Sequence, residues 1–169
     1  ISESKKLQGK ESILIGFQGE HGAYSEVALL KYNKSAIPLP CAEFAEVFEK
    51  VVSGELDYGV VPVENSTEGP VNQVNDLIVS SGLFIVTGIT LPIHHFLLAL
   101  PDTDYREIKK VYSHPQALGQ CRAFLERNRL EPMPFYDTAG AAMMLSKERP
   151  NASAVIANRL CAEIYGLEI

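Results

Sequence analysis

"ILIGFQGEHGAYSEVALLKYNKSAIPLP", residues 13–40, decides the fold. Its first five residues are a short apolar run ended by glycines, the length and composition of a strand. Ala23, Tyr24, Val27, Ala28 and Leu30 then recur at helical spacing. "AIPLP" at 36–40 reads as a brief edge strand, because proline has no N–H to give to a second neighbour. Strand, helix, strand is the unit from which parallel sheets are built.

The alternation continues outward from there. Phe44, Val47, Phe48, Val51 and Val52 fall at i, i+3, i+4, i+7 and i+8, the strongest helix signal in the chain, stopped by Gly54. "DYGVVPV" (57–63) reads as a strand, and Val71, Val74, Leu77 and Ile78 mark a helix ending near Gly82. For that helix Gly69 is the expected cap and Pro70 the first helical residue, which would leave Glu64, Asn65 and Ser66 free at the preceding strand's end. "LFIVTGITL" (83–91) and "IHHFLLAL" (93–100) both look like strands, broken at Pro92. "VYS" (111–113) leads into a helix carrying Leu118, Cys121, Phe124 and Leu125. "PMPFY" leads into one from Thr138 to Ser146, and "AVIA" into one from Arg159 to Tyr165.

The pattern predicts an α/β fold with mostly parallel sheets and helices on both faces. The strand pair at 83–100 suggests two lobes, 13–91 and 92–157, with 158–169 a helix returning towards the first lobe. The polar opening "ISESKKLQGKES", residues 1–12, lacks an initiator methionine and reads as a linker. A ligand is expected in the cleft between the lobes, where strands end and helix N-termini offer unpaired N–H groups.

Composition narrows the partners. Of 169 residues 46% are hydrophobic and 21% charged, which suits a globular chain with a real core. No apolar run approaches the ~18–20 residues of a membrane span, and no signal-peptide layout opens the chain, so the cytoplasm is the expected compartment. The net charge of −6, with no Lys or Arg from 51 to 105, argues against nucleic-acid binding. Cys41, Cys121 and Cys161 are odd in number and far apart, which suggests buried thiols rather than a disulfide framework or zinc site.

Five junctions are more polar than capping requires: "GFQGEHGAYS" (16–25), "ENSTEG" (64–69), "SHPQ" (113–116), "DTAG" (137–140) and "AN" (157–158). Part of this is structural. Ser113 with Gln116 fits a capping box with Pro115 in the first turn, and Asp137 or Thr138 caps the next helix. Gly16, Gly19 and Gly22 are spaced GxxGxxG, a poor dinucleotide fingerprint, which leaves an anion nest or a plain turn. His94 and His95 would face opposite ways on a strand, which disfavours a metal pair, and His114 is the histidine best placed for a ligand. No nucleophile elbow, P-loop or HExxH occurs.

Taken in order, "GFQGEHGAYSEVA", "PVENSTEGPV", "LPIHHFLLAL", "SHPQALGQCRAFL", "DTAGAA" and "AVIANRLCAEIYGL" resemble the motifs of prephenate dehydratases and the closely related arogenate dehydratases, from Ile13 to Ile169. The resemblance implies a two-lobed fold similar to type II periplasmic binding proteins. It also implies a carbon–oxygen lyase without metal or other cofactor: prephenate loses its ring hydroxyl and carboxylate, giving phenylpyruvate, water and carbon dioxide on the route to phenylalanine. Arogenate dehydratase, or a small-anion or amino-acid sensor of the same fold, is the alternative.

By the same resemblance, Asn65, Ser66, Ser113 and Gln120 would bind and activate the substrate. Tyr24, Gly69, His114 and Gln116 would line the site. Glu64 and Asp137 would orient neighbours or act as protonated donors with raised pKa, and Thr138, Ala139 and Gly140 would shape the pocket. Family members continue through a Thr-Arg-Phe strand, whose threonine is thought to act on the leaving hydroxyl, and into an ACT domain. Residues 1–169 alone are therefore expected to lack part of the machinery. A homo-oligomer is expected, and chorismate mutase is a frequent fusion partner.

Overall fold

The apolar run at 13–17 becomes strand β1, Leu14–Gln18. The computed structural model describes residues 12–169, so the expected linker lies outside the described residues except for Ser12. Helix α1 (Tyr24–Tyr32), strand β2 (Ile37–Cys41), helix α2 (Phe44–Val52) and strand β3 (Tyr58–Val60) follow as the spacing predicts. The three strands form a parallel sheet in the order β2-β1-β3, with β1 central. Pro38 and Pro40 sit on edge strand β2, where a missing donor costs least.

Helix α2 lies on this sheet through Val47, which packs with Leu14, Cys41 and Leu56. Its close approach requires the glycines beneath it. A Cβ on Gly59 would come 2.7 Å from Val47 Cγ1, and one on Gly16 would run into Leu56.

Strand β3 is shorter than the predicted 57–63, since Pro62 has no N–H to continue a ladder. Strands β4 (Glu64–Asn65) and β5 (Gly69–Pro70) then pair antiparallel across a three-residue turn. Pro70 therefore belongs to a strand. Helix α3 (Asn72–Ser81) starts after Val71, which provides no side-chain cap, and ends at Gly82 in the left-handed region at φ 72°. That ending is the predicted one.

The largest departure follows. Residues 83–95 form no strand, and Phe84, Ile85 and Val86 are 91%, 70% and 67% exposed. β-branched and aromatic residues favour a pleated surface only where a neighbouring strand exists, and no strand among the described residues pairs with this run.

Strand β6 (Phe96–Leu98) and a 3₁₀ turn (Tyr105–Glu107) precede strand β7 (Lys110–Ser113). Helices α4 (Pro115–Gln120) and α5 (Arg122–Arg127) replace the single predicted helix. The chain bends between them at Cys121 (φ −97°, ψ 8°), just after Gly119 weakens the last turn of α4. Strand β8 (Glu131–Pro134), helix α6 (Thr138–Glu148), strand β9 (Ser153–Ala157) and helix α7 (Arg159–Tyr165) complete the chain.

Their sheet has the order β6-β9-β7-β8, with β6 antiparallel and the rest parallel. All five residues of central β9 are buried, and they alternate. Ala154 and Ile156 join Val111, Leu118 and Leu125 on one face, whereas Val155 and Ala157 join Leu98, Ala139, Leu145 and Cys161 on the other. Helices on both faces of a mostly parallel sheet are what the alternation predicted.

The chain divides into two compact units. The described residues up to Gly19 and Ser25–Leu91 make one, Glu20–Tyr24 and Pro92–Ile169 the other. Residues 158–169 belong to the second unit. Cys161, Ala162 and Leu167 complete the second unit's core, and Glu168 exchanges two 2.9 Å backbone hydrogen bonds with Ala99 beside β6. No helix among the described residues is long and apolar enough to cross a membrane.

Burial sets the stability predictions. Leu145→Ala, at a fully buried position, should cost about 2–5 kcal/mol in urea unfolding. Phe84→Ser, despite removing a larger apolar group, should change stability by no more than about 0.5 kcal/mol.

Candidate functional site

In the first unit the polar loop is a hairpin tip. Asn65 Oδ1 accepts the Thr67 N–H at 2.8 Å, closing a local turn, and Gly69 supplies the positive φ of 81° that the return strand needs. Glu64, Asn65 and Ser66 are therefore not simply left free. Asn65 retains its amide N–H groups as donors, while Glu64 and Ser66 are exposed.

In the second unit Ser113 is not the helix cap. It is the last residue of β7, fully buried, and its hydroxyl donates to the Ile156 carbonyl at 2.6 Å, tying β7 to β9. While that bond stands, Ser113 can accept but not donate. His114 caps α4 instead, its Nδ1 accepting the Gln116 N–H at 3.3 Å, with Pro115 first in the helix as predicted. His114 is exposed and Gln116 half-buried.

Asp137 caps α6 by accepting the Gly140 N–H at 2.8 Å. Thr138 follows it, and Ala139 and Gly140 are buried. A Cβ on Gly140 would strike the ring of Tyr136, which lies against this turn and donates to Glu20 Oε1 at 3.4 Å. Burial, then the carboxylates of Glu20 and Asp137, push the Tyr136 phenol up.

A third junction fixes the short segment before α1. Asn158 caps α7 through the Cys161 N–H (3.1 Å) and donates its Nδ2 to the Gly22 carbonyl at 2.6 Å. Cys161 Sγ approaches the same oxygen at 3.3 Å, and a Cβ on Gly22 (φ 95°) would lie 2.7 Å from that sulfur. The Gly19 N–H is bonded to the Cys41 carbonyl at 3.0 Å. These glycines thus serve packing and backbone pairing.

The segment so anchored delivers Tyr24. Its hydroxyl lies 2.9 Å from both the His94 carbonyl and His95 Nδ1, and His95 Nε2 lies 2.7 Å from Gln120 Oε1. The Tyr24 and His95 rings meet edge-on at 5.9 Å. Burial, followed by the nearby thiols of Cys161 and Cys121, pushes the Tyr24 phenol well above the usual tyrosine range, so it keeps its proton. Of the candidates, Tyr24 and Gln120 are thus brought together, and the residue joining them, His95, was missed. The three lie 71 and 25 residues apart in the chain, and no periodicity links them.

Among the described residues no cluster of three or more His, Cys, Asp or Glu could hold a metal, and Cys41, Cys121 and Cys161 form no disulfide.

The sequence profile of prephenate dehydratase matches residues 15–169. The chain belongs to the prephenate dehydratase family. It is 38% identical over 98% of its length to arogenate dehydratase/prephenate dehydratase 2, chloroplastic, of Arabidopsis thaliana, covering 44% of that protein. It is also 38% identical over 97% of its length to the bifunctional chorismate mutase/prephenate dehydratase of Stutzerimonas stutzeri, covering 45% of it. Two solved structures resemble it over 92% of its length. One is the prephenate dehydratase from Arthrobacter aurescens in complex with L-Phe (TM-score 0.82, 31% identity, 54% of that chain). The other is GqqA, described as a novel type of quorum quenching acylase (TM-score 0.87, 34% identity, 57% of that chain). The fold is the periplasmic-binding-protein-like one of the family. The chain spans under half the length of these two relatives.

Two measurements probe these residues. Asp137→Ala should lose about 1 kcal/mol of stability to thermal unfolding, with Asp137→Asn retaining most of it, because the lost group is a helix cap. Alkaline titration should find one tyrosine, Tyr24, that stays un-ionised well above the ordinary tyrosine range. Its folded-state pKa is raised, so stability holds below about pH 10 and declines above it; Tyr24→Phe should lessen that decline.

Proposed function

We propose that the protein of which this chain is part is a prephenate dehydratase, a carbon–oxygen lyase that converts prephenate to phenylpyruvate, water and carbon dioxide in phenylalanine biosynthesis. Family membership over residues 15–169 carries the reading. The chemistry suits the residues. Departure of the ring hydroxyl needs a proton donor, while loss of the carboxylate supplies the electron pair and aromatisation the driving force. The protein's task is to hold a dianion with donors placed where charge develops. Neutral donors and helix N-termini can do this, in keeping with the absence of Lys and Arg from 51 to 105.

In this reading Asn65, through its free amide, and Gln120 bind carboxylate or hydroxyl oxygens, and Ser66 adds a hydroxyl. Ser113, its proton committed to Ile156, serves as an acceptor or holds β7 in place. Asp137 orients the turn in which Thr138, Ala139 and Gly140 shape the pocket. Glu64, Gly69, His114, Gln116 and Tyr24 complete the lining.

Arogenate is the alternative substrate, supported by the name of the Arabidopsis relative. The Stutzerimonas relative's bifunctional name supports a fused chorismate mutase in a longer polypeptide. The exposed apolar run at 84–86 supports a homo-oligomer. Three cysteines outside any disulfide suit a reducing compartment, for which the cytoplasm is proposed.

The test is product formation from prephenate and from arogenate, with residues 1–169 and with a polypeptide continued through the Thr-Arg-Phe strand. Phenylpyruvate from prephenate is expected, and Asn65→Ala or Gln120→Ala should lower kcat/KM about 10²-fold. Near-normal kcat/KM in both variants would overturn the residue assignment. Prephenate binding without product from either polypeptide would favour a sensor.

A further inference from the structure

Three side chains of the second unit, Tyr24, His95 and Gln120, stand in series within hydrogen-bond distance, and the tautomer of His95 sets the direction of both bonds. Gln120 turns Oε1 towards His95 Nε2 at 2.7 Å, a distance typical of a short N–H···O bond. A carbonyl oxygen can only accept, so the ring proton sits on Nε2. In the neutral ring Nδ1 is then an acceptor, and its partner at 2.9 Å is the Tyr24 hydroxyl. That hydroxyl has a single proton, which it shares between His95 Nδ1 and the His94 carbonyl, also at 2.9 Å. With the ring neutral and Gln120 Oε1 as acceptor, the order is Tyr24 O–H to His95, then His95 N–H to Gln120, with the His94 carbonyl as the hydroxyl's other acceptor.

We propose that His95 is a positioning residue: held in its Nε2–H tautomer by Tyr24, it fixes the carbonyl end of Gln120 and leaves the Gln120 amide N–H groups to donate to an acidic substrate. The inference rests on the dehydratase reading for its substrate, but not for its geometry. An unrestrained glutamine amide could turn by half a rotation and offer an acceptor, which would repel a carboxylate. With its oxygen held by His95, Gln120 offers only donors, the polarity that a dianion requires.

The anchor of the chain is firm at both ends. Tyr24 follows Gly22, whose carbonyl is gripped by buried Asn158, and Gln120 closes α4, whose first turn is capped by His114. His95 lies between them, half-buried, immediately before β6.

The test has a readout independent of turnover. Nitrogen-15 NMR of the histidine ring in residues 1–169, recorded near pH ~8.5 where an ordinary histidine is neutral, should show His95 as the Nε2–H tautomer. Tyr24→Phe should shift it to a tautomer mixture. An Nδ1–H tautomer in the unmodified protein, or an unchanged tautomer in Tyr24→Phe, would overturn the proposal.

Kinetics on the active polypeptide supply the second arm. Glutamine places its amide N–H where histidine has Nε2–H, whereas asparagine places it near Nδ1. His95→Gln should therefore keep kcat/KM within about threefold, and His95→Asn should lose about tenfold, the worth of one hydrogen bond to a charged-substrate donor. Equal losses in both would reduce His95 to a packing role and overturn the proposal. If no variant and no unmodified protein turns over prephenate, the dehydratase reading fails, while the tautomer still decides whether the hydrogen-bond chain is directed as described.

Discussion

The carbonyl oxygen of Gly22 joins residues 136 positions apart, since it accepts the buried Asn158 amide at 2.6 Å. A buried carbonyl left unpaired would carry a desolvation penalty of about 1–3 kcal/mol, so the bond holds the Glu20–Tyr24 segment to the second unit. Asn158 is itself fixed as the cap of α7, and α7 is fixed by Cys161 and Ala162 in the core beneath β9. Cys161 leaves no room for a side chain at Gly22. The position of the Tyr24 hydroxyl, and with it the contact to His95, follows from this one arrangement of cap, glycine and thiol.

Most regular elements were legible because each is controlled by neighbours within a few residues. The i, i+3, i+4 spacing of Phe44, Val47 and Phe48 is a property of one helix face, and Val47 and Phe48 are buried in α2. Gly82 ends α3 because it reaches the left-handed region without a Cβ penalty. Where the reading failed, a longer-range or finer competition decided. Pro70 could start a helix or end a strand, and pairing of Gly69–Pro70 with Glu64–Asn65 selected the strand. Ser113 had the composition of a cap, but in β7 it faced the Ile156 carbonyl, and a fully buried hydroxyl needs such a partner more than the helix needs that particular cap. His114 took over the end of α4.

Residues 83–91 show the limit of propensity most directly. Leu, Phe, Ile and Val in sequence are what a strand buried on both faces contains, yet a strand is defined by a partner's hydrogen bonds and not by its own side chains. Here the run is uncharged from Leu83 to Ile93 and largely exposed, with none of the lysines or inward charges that usually protect such a segment. The contrast with β2 is instructive. There Pro38 and Pro40 blunt an edge that pairs on one side only.

The candidate site was legible as a set of residue types but not as a set of bonds. Sequence placed Tyr24 and Gln120 among its residues, whereas His95 entered only through distance. Its adjacency to His94 had suggested opposite faces of a strand, and the strand begins one residue later, at Phe96. Freed from the pleat, His94 contributes its carbonyl and His95 its ring to the same tyrosine oxygen. This matters for the dehydratase reading, in which neutral side chains are proposed to hold an acid. A lysine would bind through charge and tolerate many orientations. A neutral amide binds an acid only if its donor end is the one presented, so selectivity for charge must come from whatever fixes the amide's direction. In this chain that direction is traced from Gln120 through His95 to Tyr24, whose buried phenol retains its proton.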